Sequence, residues 1–424
     1  MSYPAPFHVM AKPIGPICNI DCKYCFYLEK ENLYPENQLE KNNWVMPDDV
    51  LEEYIKQKIE STDLEEESFT WQGGEPTLLD VEYFKKAVNL QRKYANGKKI
   101  NNSFQTNGIL LDNEWCKFFK DNSFLIGLSI DGPRELHDRY RVDKGGRPTF
   151  DRVMHGLSLL KKHNIDFNTL TVVQKDNSYY PIEVYNFLKE IGSGYMQFIP
   201  IVERVTRVND NSIVSQSSVE SEQFGNFLIE IFKQWVLKDV GKYFVQIFDV
   251  SLEAWLGLQA SLCLFNETCG KAMAIEHNGD LYSCDHFVFL ENKLGNIMEN
   301  PLIKMLESEQ QNKFGNDKKN TLPVYCKNCE VKFVCNGECP KNRFINTPDG
   351  EFGLNYLCAG YKKFFNYIDP CMNFMAGELK ANRPPANVMR WIKENERKMQ
   401  PVKIRRNDPC FCGSGKKYKN CCRG

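Results

Sequence analysis

Thiols are the residues of this chain best suited to chemistry, and they come in groups. Of 17 cysteines, Cys18, Cys22 and Cys25 form a C-x3-C-x2-C run. Cys263, Cys269 and Cys284 precede a second run of Cys326, Cys329, Cys335, Cys339 and Cys358, and Cys410, Cys412, Cys421 and Cys422 come last. Cys116 and Cys371 stand apart and read as small buried hydrophobes. The opening residues lack the basic-then-apolar pattern of a secretory signal, so reduced thiols are expected, and clustered thiols point to metal. Three thiolates this close can hold three irons of a cubane and leave the fourth open to a non-protein ligand. Zinc is the alternative, but a structural zinc takes four protein ligands and no fourth lies near the first run. Eight cysteines between 263 and 358 suffice for two fully ligated cubanes, although a pair of zinc ribbons fits the same spacing. The last four flank Gly413-Ser414-Gly415 and suit one tetrahedral zinc.

Something must bring these groups together. Short β-rich runs at 8–12, 68–72, 102–105, 125–130, 166–173 and 195–201 alternate with helical patterns at 47–61, 81–94, 113–121, 150–163 and 182–191. That alternation predicts βα units around a parallel sheet. Six units are too few for the ordinary eight-stranded barrel, so an open, partial (β/α)6 barrel of class α/β is expected over residues 1–205. Helices at 221–237 and 248–258 form a connection spanning 206–260. Residues 261–381, cysteine-rich and broken by Gly, Asn and Pro, read as a small domain that metal helps to fold. A linker and helix follow at 382–405, then a metal-binding tail at 406–424. The tail is basic: residues 386–424 hold 11 Lys and Arg against 3 Asp and Glu, which leaves the first 385 residues at −9 in a chain of net −1. Lys416, Lys417 and Lys419 read first as a solvated face. No apolar run approaches the ~20 residues that a membrane helix needs. A cytoplasmic protein is expected, with neither membrane nor nucleic acid as partner.

The three-cysteine spacing resembles the signature of the radical S-adenosylmethionine (SAM) superfamily. The resemblance implies a 4Fe-4S cluster at Cys18, Cys22 and Cys25 whose open iron takes the amino and carboxyl groups of SAM. Gln72-Gly73-Gly74-Glu75-Pro76 is similar to the superfamily's glycine-rich stretch, placed after a strand where backbone can approach a ligand closely. Gln105-Thr106-Asn107-Gly108 and Ser129-Ile130-Asp131-Gly132-Pro133 also follow strands, and their simpler reading is turn chemistry. Within the superfamily these segments, together with Cys25-Phe26-Tyr27, resemble the anaerobic sulfatase-maturating enzymes. That likeness implies SAM contacts at Tyr24, Gly74, Ser129 and Arg141, with Val202 standing where a leucine is expected, and places Gln72 and Tyr27 on the peptide side.

The eight later cysteines resemble a SPASM domain with two auxiliary 4Fe-4S clusters, three clusters in all. The likeness pairs Cys263, Cys269, Cys284 and Cys339 on one and Cys326, Cys329, Cys335 and Cys358 on the other. Gly279, five residues before Cys284, suits a hairpin that returns the chain to the metal. Asp285 is a solvated aspartate on its residue type alone, but the family's catalytic base falls at this position, and an anionic cluster beside it is expected to raise its pKa. His286 and His277 read as structural or surface groups before they read as helpers. The tail is similar to the SEC-C motif, with zinc on Cys410, Cys412, Cys421 and Cys422.

The implied activity is oxygen-independent oxidation of an active-site Cys or Ser, in an unfolded or nascent sulfatase, to Cα-formylglycine, with a low-potential donor such as flavodoxin or ferredoxin. Asp285 would take the thiol or hydroxyl proton and the auxiliary clusters the second electron. Two other readings stay open on sequence: another SPASM maturase, such as one forging thioether crosslinks, and a non-catalytic adaptor built on zinc modules.

Overall fold

The computed structural model describes residues 6–35, 44–205 and 213–399, with Lys417 and Asn420. The four tail cysteines lie outside the described residues. The first part runs β1 (His8–Lys12), β2 (Ile20–Cys22), α1 (Asp48–Glu60), β3 (Glu66–Trp71), α2 (Val81–Tyr94), β4 (Lys99–Thr106), α3 (Asn113–Asp121) and β5 (Leu125–Ser129). It continues through α4 (Arg134–His137), β6 (Arg141–Asp143), α5 (Phe150–Lys162), β7 (Phe167–Val173), α6 (Pro181–Glu190) and β8 (Tyr195–Pro200). Strands β1, β3, β4, β5, β7 and β8 are neighbours in that order and parallel throughout. These are the six expected βα strands, and the sheet stays open, its edges being β12 (Lys293–Asn296) and β9 (Phe244–Val245).

Local chemistry explains the helix starts. Asp80 accepts from Tyr83 N at 2.9 Å and Asp112 from Trp115 N at 2.9 Å, each satisfying a first-turn donor of α2 and α3. The apolar faces of these helices meet alternate residues of β3 and β4, so that Trp71, Phe84, Phe104 and Trp115 pack ring against ring. Burying each such ring contributes about 2–3 kcal/mol.

The cysteine-rich segment is joined to this sheet. After α7 (Ser221–Lys238) and α8 (Gln246–Leu256), β10 (Ala272–Glu276) pairs in parallel with β1, from His8 opposite Ala272 to Lys12 opposite Glu276. β11 (Asp280–Tyr282) turns back on β10, with Gly279 at φ +87° between them, and β12 follows antiparallel. Short helices α9 (Leu302–Leu306), α10 (Glu309–Asn320), α11 (Val324–Lys327) and α12 (Lys332–Cys335) lead to the hairpin β13 (Arg343–Asn346) and β14 (Phe352–Asn355). The long helix α13 (Cys358–Lys380) packs on α7, where Gly225 and Gly360 allow the two backbones to touch, and α14 (Val388–Met399) follows. One apolar core runs from β5, β7 and α6 through α7 and α8 to Phe265, Val334 and Tyr361 of the cysteine-rich segment. Cys116 and Cys371 are buried, as their isolation suggests. Among the described residues no helix is long and apolar enough to cross a membrane.

Candidate active site

The loop after β1 carries Cys18, Cys22 and Cys25, and strand pairing fixes it. β2 pairs with β6 so that Cys22 lies opposite Arg141, bringing a guanidinium to the cysteine loop from far along the chain. The glycine-rich stretch laces the loop from the other side: Gly74 N donates to Gly15 O at 2.8 Å and Glu75 N to Ile17 O at 2.8 Å. A Cβ on Gly74 would stand 1.9 Å from Ile17 O, so only glycine allows this approach. Glu75 then ties two strand ends together. Its buried carboxylate accepts from Thr77 N, Thr77 Oγ1, Thr106 Oγ1 and Asn107 N between 2.6 and 3.1 Å. Asn107 in turn donates to Asn19 Oδ1 at 2.7 Å, inside the cysteine loop. The turn chemistry of these motifs is therefore what positions the thiols.

A cavity of about 440 Å³ opens at the ends of the parallel strands. Cys18, Cys22 and Cys25 form one wall, with Tyr24, Gly74, Ser129 and Arg141 beside them. Tyr24 OH donates to Asp131, Arg141 Nε lies 3.0 Å from Asp131 Oδ2, and the guanidinium sits over the Tyr24 ring. Asp131 is fully buried and also accepts from Val172 N at 3.0 Å. Val202 is not brought to this wall. It packs in the core while its neighbour Ile201 lines the cavity, because successive side chains of an extended chain point opposite ways.

Asp285, His286, Cys263, Cys284, Gln72 and Tyr27 line the same cavity. Lys12, at the end of β1 and 1% exposed, donates to Gln72 Oε1, pairs with Asp285 and lies 4.4 Å from the Tyr27 ring centroid. Tyr27 OH donates to buried Glu276. Burial alone would raise the pKa of Asp285, but Lys12, with Lys30 further off, outweighs burial and holds the carboxyl below its usual value. In the protein frame alone, the opposing charge comes from a lysine on a strand far away in sequence. His286 is lowered to about 4 by burial and is neutral at physiological pH, its ring edge-on to Phe26. His277 is packed between Trp44 and Tyr34, a structural place.

The other cysteines gather in two sets. Burial pushes the Cys284 thiol up to about 12, with Asp285, Cys263 and Cys269 adding to the effect, and Cys339 is raised by burial, then by Glu338, Cys284 and Cys263. Cys358 is likewise pushed up to about 12 by burial, then by Cys326 and Cys329, and Cys335 is raised by burial and then by Cys358. These mutual influences run within the two expected sets, Cys263, Cys269, Cys284 and Cys339, and Cys326, Cys329, Cys335 and Cys358.

These surroundings fit iron–sulfur clusters and SAM. Burial pushes Cys18 and Cys22 up to about 12, so bare thiols here stay protonated, and a cationic metal is what lets buried thiolates coexist. Among the described residues no three His, Cys, Asp or Glu side chains converge to hold a single ion. The first three thiols instead border one open volume. Arg141, paired through Nε with Asp131 Oδ2 at 3.0 Å, sets a buried cation beside the cysteine loop, where a ligand carboxylate would be stabilised. Residues that sequence reasoning missed are Lys12, Asp131, Glu75 and Glu276. Asp131 and Glu75 lay inside quoted motifs, whereas nothing local marks Lys12 or Glu276.

The family model of the radical SAM superfamily matches residues 13–188, the iron-sulfur cluster-binding domain called SPASM matches 263–330, and the SEC-C motif matches 406–424. A serine-type anaerobic sulfatase-maturating enzyme of Bacteroides thetaiotaomicron is 49% identical over 93% of this chain and 97% of its own length. A cysteine-type enzyme of Clostridium perfringens is 34% identical over 88% of this chain and all of its own. The solved structure of native anSMEcpe with bound AdoMet superimposes with a TM-score of 0.78 at 33% identity, covering 88% of this chain and all of that one. Streptococcus suis SuiB bound to S-adenosylmethionine, at 16% identity and a TM-score of 0.57, shares the fold. On this evidence the chain belongs to the anaerobic sulfatase-maturating enzymes, radical SAM proteins that carry a SPASM iron–sulfur domain.

Proposed function

We propose that this chain oxidises the active-site serine or cysteine of a sulfatase to Cα-formylglycine without molecular oxygen. The observation that carries the reading is the shared cavity, which Cys18, Cys22 and Cys25 line together with Asp285, Cys263 and Cys284. A protein that merely stored metal has no use for a carboxylate held ionised by a buried lysine between two cysteine sets. The serine-type and cysteine-type names of its relatives agree with that substrate class.

Cys18, Cys22 and Cys25 would hold one 4Fe-4S cluster and the two auxiliary sets one each, about twelve irons per chain. Loaded there with SAM, these groups would supply the one-electron chemistry that removes a hydrogen atom from the substrate β-carbon, and a destination for the second electron. The chain's own residues do the rest. Asp131 orients Arg141 and Tyr24 towards the carboxyl group of SAM, and Ser129 and the backbone at Gly74 complete that wall. Gln72 and Tyr27 border the peptide side. Lys12 fixes Gln72 and Asp285 relative to each other and keeps the Asp285 carboxylate free of a proton. Asp285 then accepts the proton of the substrate thiol or hydroxyl. Loss of a hydrogen atom, a proton and an electron turns serine directly into the aldehyde; cysteine becomes a thioaldehyde, which water hydrolyses.

Asp285→Asn separates these roles. The variant is expected to cleave SAM and release 5′-deoxyadenosine while making no formylglycine in a mass-spectrometric assay on a Cys-x-Pro-x-Arg or Ser-x-Pro-x-Arg peptide. Ordinary formylglycine yield removes Asp285 from the mechanism, and a crosslinked product replaces the proposed activity. The same reading includes zinc on Cys410, Cys412, Cys421 and Cys422, a flavodoxin or ferredoxin as electron donor, an unfolded or nascent substrate, and a cytoplasmic setting. It keeps the division into barrel (1–205), helical connection (206–260), auxiliary-cluster domain (261–381), linker (382–405) and tail (406–424).

A further inference from the structure

One face of α10 braces three of the backbone segments that carry the first auxiliary set. Gln311 Nε2 donates to Gly270 O at 2.9 Å and to Ser283 O at 3.2 Å, one residue after Cys269 and one before Cys284. A turn further on, Cys269 N donates to Gly315 O at 3.1 Å, and a Cβ on Gly315 would stand 2.5 Å from Cys269 O. One more turn brings Lys318, 1% exposed, whose Nζ donates to Cys263 O and Leu264 O, both at 2.7 Å. Positions 311, 315 and 318 share a helix face, so the helix closes over the set like a plate. The first two grips are neutral. The third brings a charge into the protein interior.

A neutral donor would satisfy one of those two carbonyls without the desolvation that a buried ammonium suffers. What the lysine adds is positive charge beside Cys263 and Cys269, from an ammonium that is itself buried. The other charged groups near it are Glu338, which accepts from Asn342 and Asn355, and Arg343, which donates to Lys318 O and to the carbonyls of Asn336, Gly337 and Glu338. A cluster held by four thiolates gains negative charge when it takes an electron. A fixed cation therefore stabilises the reduced form more than the oxidised one and raises the reduction potential.

We propose that Lys318 is a positioning residue that sets the redox poise of the cluster held by Cys263, Cys269, Cys284 and Cys339, making it the better electron acceptor. The proposal rests on the reading above that this set holds a redox cluster. One electron enters and no proton moves with it, since the proton of the substrate goes to Asp285.

Potentiometric titration of the anaerobically reconstituted full-length enzyme, followed by electron paramagnetic resonance, tests it. Lys318→Gln and Lys318→Met remove the charge, and Lys318→Arg retains it. In the neutral variants one reducible component is expected to move to lower potential while the others stay, and Lys318→Arg is expected to restore it. Deoxyadenosine released per formylglycine formed should rise several-fold in the neutral variants. The proposal is overturned if the neutral variants that retain iron keep the wild-type potential. It is overturned equally if no neutral variant retains iron, which makes Lys318 a brace alone. Iron content and formylglycine formation of the wild type report separately on the underlying function.

Discussion

The two halves of this molecule position reactive groups by different means. In the barrel half, Gln72, Thr106 and Ser129 sit at or just past the ends of successive parallel strands, and the sheet aims them. In the cysteine-rich half the elements are short, α11 and α12 being four residues each, and buried charges hold the loops. Arg343 alone donates to four backbone carbonyls there, and Lys318 to two more. The difference teaches that repetitive hydrogen bonding places residues where periodicity exists, and charged side chains take over where it does not.

The strongest way to break that contrast is at the point where the barrel's own loops touch. Gly74→Ala puts a methyl group against Ile17 O with no side chain to yield, so the cysteine loop must move. SAM binding by equilibrium dialysis and deoxyadenosine release are expected to fall at least ~100-fold, about 3 kcal/mol in binding terms. Wild-type binding would mean that the loops are not laced as described.

Acid sharpens the contrast at intermediate strength, because the barrel half buries neutral histidines. His137 sits beside Thr149 and the Asp131 backbone, and burial lowers it to about 4; His8 is lowered to about 4 by burial and the nearby Lys58. Below the unfolded value near 6.5 the unfolded chain takes up protons that the folded chain refuses. Stability is therefore unaffected above that pH, declines as pH falls through the window from 6.5 to 4, and levels off below it. At pH 5 the loss is about 2 kcal/mol for each histidine. Thermal melts from pH 7 to 5 should show the decline, and His137→Gln should flatten it.

The smallest effect is expected at an exposed position of a helix in the other half. Gly377 in α13 is exposed, and an added Cβ there meets nothing within 4 Å. Gly377→Ala should stabilise the protein by up to about 1 kcal/mol, read as a raised Tm, with activity unchanged.

The same contrast governs what the sequence discloses. Strand β1 and helices α2 and α3 fall where alternation and the capping aspartates place them. The three-cysteine loop and its glycine-rich neighbour are visible because their ligand and turn chemistry is local. What is hidden is long-range. Nothing in residues 8–12 says that 272–276 will lie beside them, so neither the continuation of the sheet into the cysteine-rich half nor the meeting of Lys12 with Asp285 follows from pattern. That pairing is also what sets a lysine against the Asp285 carboxyl. Val202, expected on the SAM side, packs in the core beside Ile201, which lines the cavity, because adjacent side chains point to opposite sides.

The pairing of β1 with β10 has a consequence for biosynthesis. Strand β1 cannot fill its outer edge until a segment made roughly 260 residues later emerges from the ribosome. Until then the chain presents an open ribbon that invites association with other chains. Cofactor loading into a finished pocket is accordingly a late event of maturation, and nonsense products ending before residue 272 are natural clients for chaperones or proteases.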